Sequence, residues 1–152
     1  VEEIVEENEN ENEKEEMLEV LYCSCYGGWG ISKKARELYK NKMNELNSST
    51  NNIRYSFYER HDPLLVSIFK ELGKEFDDKY SHSDVKLIPK KYEKYYDIEE
   101  YDGLETVTID YYRYNADNFV NGIKKILKSE MNNDEKIKEI ECLVLNTKIC
   151  EE

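Results

Sequence analysis

The stretch Val20-Leu21-Tyr22-Cys23-Ser24-Cys25-Tyr26-Gly27-Gly28-Trp29-Gly30-Ile31-Ser32 decides how the chain is organised. Leu18 to Cys23 alternates in part and is rich in strand formers, so a first strand is expected to run into the glycines. Ser32 reads as the N-cap of a helix in which Ala35, Leu38, Tyr39, Met43 and Leu46 recur at helical intervals. Between them, three glycines in four residues make a strand-to-helix turn that can present free N–H groups, with Lys33, Lys34 and the positive end of the helix behind it. Such a turn suits an anion held by Gly27, Gly28, Trp29, Gly30 and Ser32. The spacing matches neither the dinucleotide fingerprint nor the P-loop. The same residues also describe a tight turn that lets the helix pack close under the strand, with Trp29 as an anchor.

Working outward from the turn, Asn47 to Asn52 is a polar loop, and Ile53 to Tyr58 is expected to be a short strand. In Arg60-His61-Asp62-Pro63, Asp62 can cap a helix whose first position is Pro63, where the missing N–H costs nothing. Leu64, Leu65, Ile68, Phe69, Leu72 and Phe76 mark its apolar face, with a relaxed end near Gly73. Asp84 to Pro89 reads as a strand stopped by proline. Tyr95 to Glu100, the turn Tyr101-Asp102-Gly103 and Leu104 to Asp110 read as a β-hairpin. Helices over Ala116 to Lys128 and about Asp134 to Leu145 follow. The expected fold class is α+β: a small antiparallel or mixed sheet with two helices on one face, plus a C-terminal helical pair. The expected segments are an acidic disordered leader over 1–17, an α+β domain over 18–114, and a helical extension over 115–152 packed on it.

Of the formal charge of −12, most belongs to residues 1–17, which hold nine Glu against one Lys. The rest of the chain carries 25 acidic against 21 basic residues and has no broad basic face, which argues against duplex nucleic acid as a partner. No stretch approaches the roughly 20 apolar residues of a membrane helix, and no basic-then-apolar leader resembles a secretory signal. The expected setting is intracellular, away from membranes. Four cysteines in a lysine-rich chain of 152 residues read as reduced thiols, not a disulfide scaffold.

Four ordered motifs carry a resemblance. They are Cys25-Tyr26-Gly27-Gly28-Trp29-Gly30-Ile31-Ser32; Arg60-His61-Asp62-Pro63-Leu64-Leu65-Val66 with Glu71-Leu72-Gly73; Val85-Lys86-Leu87-Ile88-Pro89; and Ile98 to Val107, which contains Glu100-Tyr101-Asp102-Gly103-Leu104-Glu105. Over roughly residues 18–110 they resemble a family of short phage, bacterial and large-DNA-virus proteins with the pattern CYGGFxLS, RHDPxLVxVVExLG, EYDGxExV. The resemblance implies a viral or phage-type protein and attaches no activity to it. Trp29 replaces the usual Phe of that pattern, and the helices after Ala116 extend beyond the short domain.

The chemistry-bearing residues admit two readings each. His61 can act as a general acid or base with Arg60 as an anion clamp, or it can pack at the entry of a helix that Asp62 caps. Cys23-x-Cys25 can bind a soft metal or form a redox pair, or fill space as buried thiols; Cys142 and Cys150 do not complete a zinc quartet. Glu99, Glu100, Asp102 and Glu105 can pair catalytically or hold magnesium, but a solvated hairpin face is the favoured reading. Tyr92, Tyr95, Tyr96, Tyr111, Tyr112 and Tyr114 can stack a base or pack as core and rim. No nucleophile–base–orienter set, metal site or cofactor motif can be assembled from these residues. The leading functional expectation is a binding or interaction protein, partnered by protein or by a small anionic ligand at the Gly27 to Ser32 turn. Its alternatives are an enzyme acting on a phosphorylated small molecule or nucleotide, and an assembly protein working through the C-terminal helices.

Overall fold

A computed structural model describes residues 15–46 and 59–148. The polar loop at 47–52, the expected strand at 53–58, Cys150 and all but the end of the acidic leader lie outside the described residues. The fold is α+β, with two antiparallel two-stranded sheets and four α-helices. The first sheet pairs β1 (Met17–Cys23) with β2 (Ser83–Pro89), in a register that sets Leu21 against Val85 and Leu18 against Ile88. Pro89 has no amide to donate, and the ladder gains one last bond from Lys90 N to the Glu16 carbonyl at 2.8 Å.

α1 (Lys33–Leu46) and α2 (Pro63–Leu72) cover the Leu21 side of this sheet. The Ser32 hydroxyl accepts the Ala35 amide at 3.1 Å, as an N-cap does, and α1 buries Ala35 and Tyr39 one turn apart. Asp62 accepts the Leu64 amide at 2.8 Å and the Tyr39 hydroxyl at 2.5 Å, so one carboxylate caps α2 and ties it to α1. α2 buries Leu65, Val66 and Ile68, then gives way at Gly73 to one 3₁₀ turn that delivers fully buried Phe76. These side chains, with Leu21, Ile31, Ala35 and Tyr39, form the core.

The second sheet is the hairpin β3 (Tyr96–Tyr101) and β4 (Leu104–Ile109), which lies against β1. Asp102 and Gly103 both take positive φ, 51° and 85°, as a two-residue type I′ turn requires. The expected single small sheet is thus two separate ladders among the described residues, the β3–β4 hairpin lying against the β1 strand of the other.

α3 (Tyr111–Lys128) starts five residues before the expected Ala116 because Asp110 is the cap, accepting the Arg113 amide at 2.8 Å. Residues 114 and 115 are therefore successive residues within one helix. Its first turn brings Tyr111 and Tyr114 edge-on to Tyr92, and Tyr114 edge-on to Tyr95, while Tyr112 stands exposed. α4 (Asn133–Lys148) opens with a reciprocal capping box: Asn132 Oδ1 accepts the Glu135 amide, and Glu135 accepts the Asn132 amide. α3 and α4 fold back on one another, with Leu143 packed over Gly122. No helix among the described residues is long and apolar enough to cross a membrane.

Candidate functional site

The glycine turn sits where three of the four sequence motifs converge. Its own backbone is held by short-range contacts. Cys23 Sγ donates to the Gly28 carbonyl at 3.1 Å, Ser81 Oγ to the same carbonyl at 2.8 Å, and Cys25 Sγ to the Tyr80 carbonyl at 3.3 Å. Gly27 lies flat against that Tyr80 carbonyl, with no room for a Cβ. The hairpin tip closes the other side: a Cβ on Gly103 would sit 2.6 Å from the Gly28 amide nitrogen. Of the turn's amides, that of Gly27 points at Cys25 Sγ (3.4 Å) and that of Ser32 donates to the Phe76 carbonyl (2.7 Å).

Arg60 provides the third side. Its guanidinium stacks 3.7 Å from the Trp29 ring centroid and makes two parallel 2.8 Å bonds to the Glu105 carboxylate. Glu105 Oε2 also accepts the Cys23 amide at 2.7 Å, and the Arg60 carbonyl accepts the Leu21 amide at 2.8 Å. The pair is well shielded, Arg60 at 18% and Glu105 at 7% of full side-chain exposure. Glu105 thus departs from the solvated hairpin face expected of it: β4 lies against β1, and its second residue faces the strand end and the arginine. The other hairpin acids remain apart from it. Glu100 accepts the Gly103 amide, Glu99 reaches Thr108, and Asp102 forms the turn.

One carboxylate stands directly at the turn. The Asp78 carboxylate lies beside Gly30, and its pKa is lowered by the Tyr80 amide first, then by Ser81, with Arg36 contributing. Lys34, expected behind the turn, is ion-paired with Glu75. The structure therefore brings Gly27, Gly28, Trp29 and Arg60 into one junction, with Ser32 capping α1 at its edge.

His61 goes elsewhere. Its Nδ1 is 2.6 Å from the Tyr96 hydroxyl, and its Nε2 lies 3.3 Å from Glu93 and 3.7 Å from Glu59. Burial, with the Glu59 carboxylate nearby, pushes the Tyr96 pKa up, so this hydroxyl keeps its proton. His61 and Glu93 line an open cleft of about 610 Å³ between α2 and the Met17 end of the first sheet. Its floor includes Met17, Leu87 and Val66, and its rim carries Lys70, paired with Glu19, and Lys90, paired with Glu16. The Tyr96–His61–Glu93 row was not legible in the sequence, since neither partner stands near His61 in the chain. Glu105 stands two residues after the hairpin glycine, and nothing beside it in the chain points to Arg60.

Cys23 and Cys25 bring their sulfurs to 3.6 Å, while Cys142 is exposed on α4. No group of three or more His, Cys, Asp or Glu side chains among the described residues is arranged to hold a metal ion. No family model, curated protein or solved structure matches the chain.

Proposed function

We propose that this chain is a binding and interaction protein that works through its C-terminal helical hairpin, and that the surface takes a second copy of the same hairpin. One observation carries the reading: no described side chain of α3 or α4 is buried, whereas the body formed by β1, α1 and α2 has a closed core. Val120 and Leu127 on α3, Ile137 and Leu145 on α4, and Met131 in the connection between them stand in solvent, although the two helices pack on one another. Two such helices are half of a four-helix bundle. Charge supports self-pairing. α3 carries Arg113, Lys124, Lys125 and Lys128 against Asp117, and α4 carries Asp134, Glu135, Glu139 and Glu141 against Lys136, Lys138 and Lys148. A two-fold axis can set the basic α3 of one copy against the acidic first turn of α4, Asp134 and Glu135, of the other. In this reading the glycine turn and Arg60 are the joint that keeps the body rigid, because the guanidinium an anion would need is already engaged by Glu105.

Light scattering on the eluting full-length chain tests the proposal. Dimer mass for the wild type, and monomer mass for Leu127→Glu/Ile137→Glu with an unchanged circular dichroism spectrum, are expected. A wild type that is monomeric at every soluble concentration removes it.

The enzymatic reading keeps one observation in its favour, the Tyr96–His61–Glu93 row at the cleft. A phosphorylated ligand there must first draw Lys70 and Lys90 from Glu19 and Glu16. Thermal shift against nucleotides and sugar phosphates tests its first requirement: a stabilising ligand whose effect is lost in His61→Ala supports a ligand site at the cleft, and silence across the panel ends the reading.

A further inference from the structure

Cys23 and Cys25 do more than fill space. Their sulfurs lie 3.6 Å apart; Cys23 closes β1 with no exposed surface, while Cys25 lies beyond the strand end and is reached by solvent. Bringing them to the roughly 2.05 Å of a disulfide takes about 1.5 Å, within the range of side-chain rotation. Both thiols also hold the turn, Cys23 through the Gly28 carbonyl and Cys25 through the Tyr80 carbonyl, which lies against Gly27.

We propose that Cys23 and Cys25 are a modification site for a peroxide-class oxidant, and that their oxidation to a disulfide releases the glycine turn. The reaction runs from the accessible sulfur inward. Cys25 attacks one peroxide oxygen as its thiolate, the O–O bond breaks, and the departing hydroxide takes the thiol proton to leave as water. The sulfenic acid so formed faces Cys23, whose sulfur attacks that of Cys25; the S–O bond breaks, and a second water departs with the Cys23 proton. Two thiols are oxidised and one peroxide is reduced. Cys23 takes the resolving role by position, 3.6 Å from the Cys25 sulfur and shielded from the oxidant itself. The disulfide has no S–H to donate, so the Gly28 carbonyl keeps only Ser81 and the Tyr80 carbonyl loses its Cys25 contact. Trp29 is the single tryptophan of the chain and sits inside the same turn under Arg60, so it reports the change directly. None of this depends on the helical hairpin.

The full chain carrying Cys142→Ser/Cys150→Ser is treated with hydrogen peroxide after removal of reductant. The titratable thiols should fall from two per chain to none, with an intact mass lower by two hydrogens, and Trp29 emission should change at the same rate. A dithiol reductant should reverse all three. Cys23→Ala should instead stop at a sulfenic acid on Cys25 that dimedone traps. Should that variant fail to fold, mass and fluorescence on the parent chain still decide the matter. The proposal is overturned if Cys25 gains oxygen while Cys23 stays titratable, if the disulfide forms only between chains, or if it forms with Trp29 emission unmoved.

Discussion

Removing the buried Glu105 side chain should be strongly damaging to the β1–β4 junction. In Glu105→Ala the Arg60 guanidinium and the Cys23 amide both lose their acceptor, at a site where Arg60 is only 18% exposed. Stranding one member of a shielded ion pair costs about 3–5 kcal/mol. For a chain of this size each kcal/mol moves the midpoint by about 2–4 °C, so Tm should fall on the order of 10 °C. Glu105→Gln keeps an acceptor for the Cys23 amide and should lose less. Replacing both partners, Arg60→Met with Glu105→Leu, should recover the part due to the stranded arginine, because the desolvation of two charges disappears with their attraction, while the Cys23 amide still lacks its acceptor. Urea denaturation of the two single variants and the double variant measures the coupling as a thermodynamic cycle. A Glu105→Ala protein within about 0.5 kcal/mol of wild type, as for an ordinary surface site, would refute the reasoning and return Glu105 to the solvated hairpin face.

Two further outcomes follow from the same junction. Gly27→Ala forces a methyl against the Tyr80 carbonyl, where backbone must move, and should lower stability by about 1–3 kcal/mol in a urea titration; no loss would mean the turn has slack. Asp78 has its pKa lowered by the Tyr80 and Ser81 amides and the Ser81 hydroxyl, so its contribution is complete above the ordinary aspartate value of about 3.9 and disappears as pH falls through the lower folded value. Melting temperatures of wild type and Asp78→Asn should therefore differ near neutrality and converge in acid, and curves that stay parallel at all pH values contradict the assignment.

The residues that wrote their own local structure did so through partners a few positions away. Ser32, Asp62 and Asp110 cap because their oxygens reach amides two or three residues on, Asp102-Gly103 turns because both accept positive φ, and the apolar spacing of α1 and α2 marks a buried face whatever it packs against. This is why the order of elements could be read from the chain alone, and why α3 was started five residues late: Asp110, its cap, reads in sequence as the end of the hairpin strand. The partner of a side chain is a different matter. Arg60 and His61 are neighbours in sequence, yet one turns to Trp29 and Glu105 and the other to Tyr96 and Glu93. Glu105 meets Arg60 across 45 positions and the Cys23 amide across 82. Neither periodicity nor propensity encodes such a separation. Only the docking of the hairpin on β1 determined that an apparently solvated acid is the counter-ion of the arginine, and only the packing of α2 against the first sheet directed the histidine into a cleft.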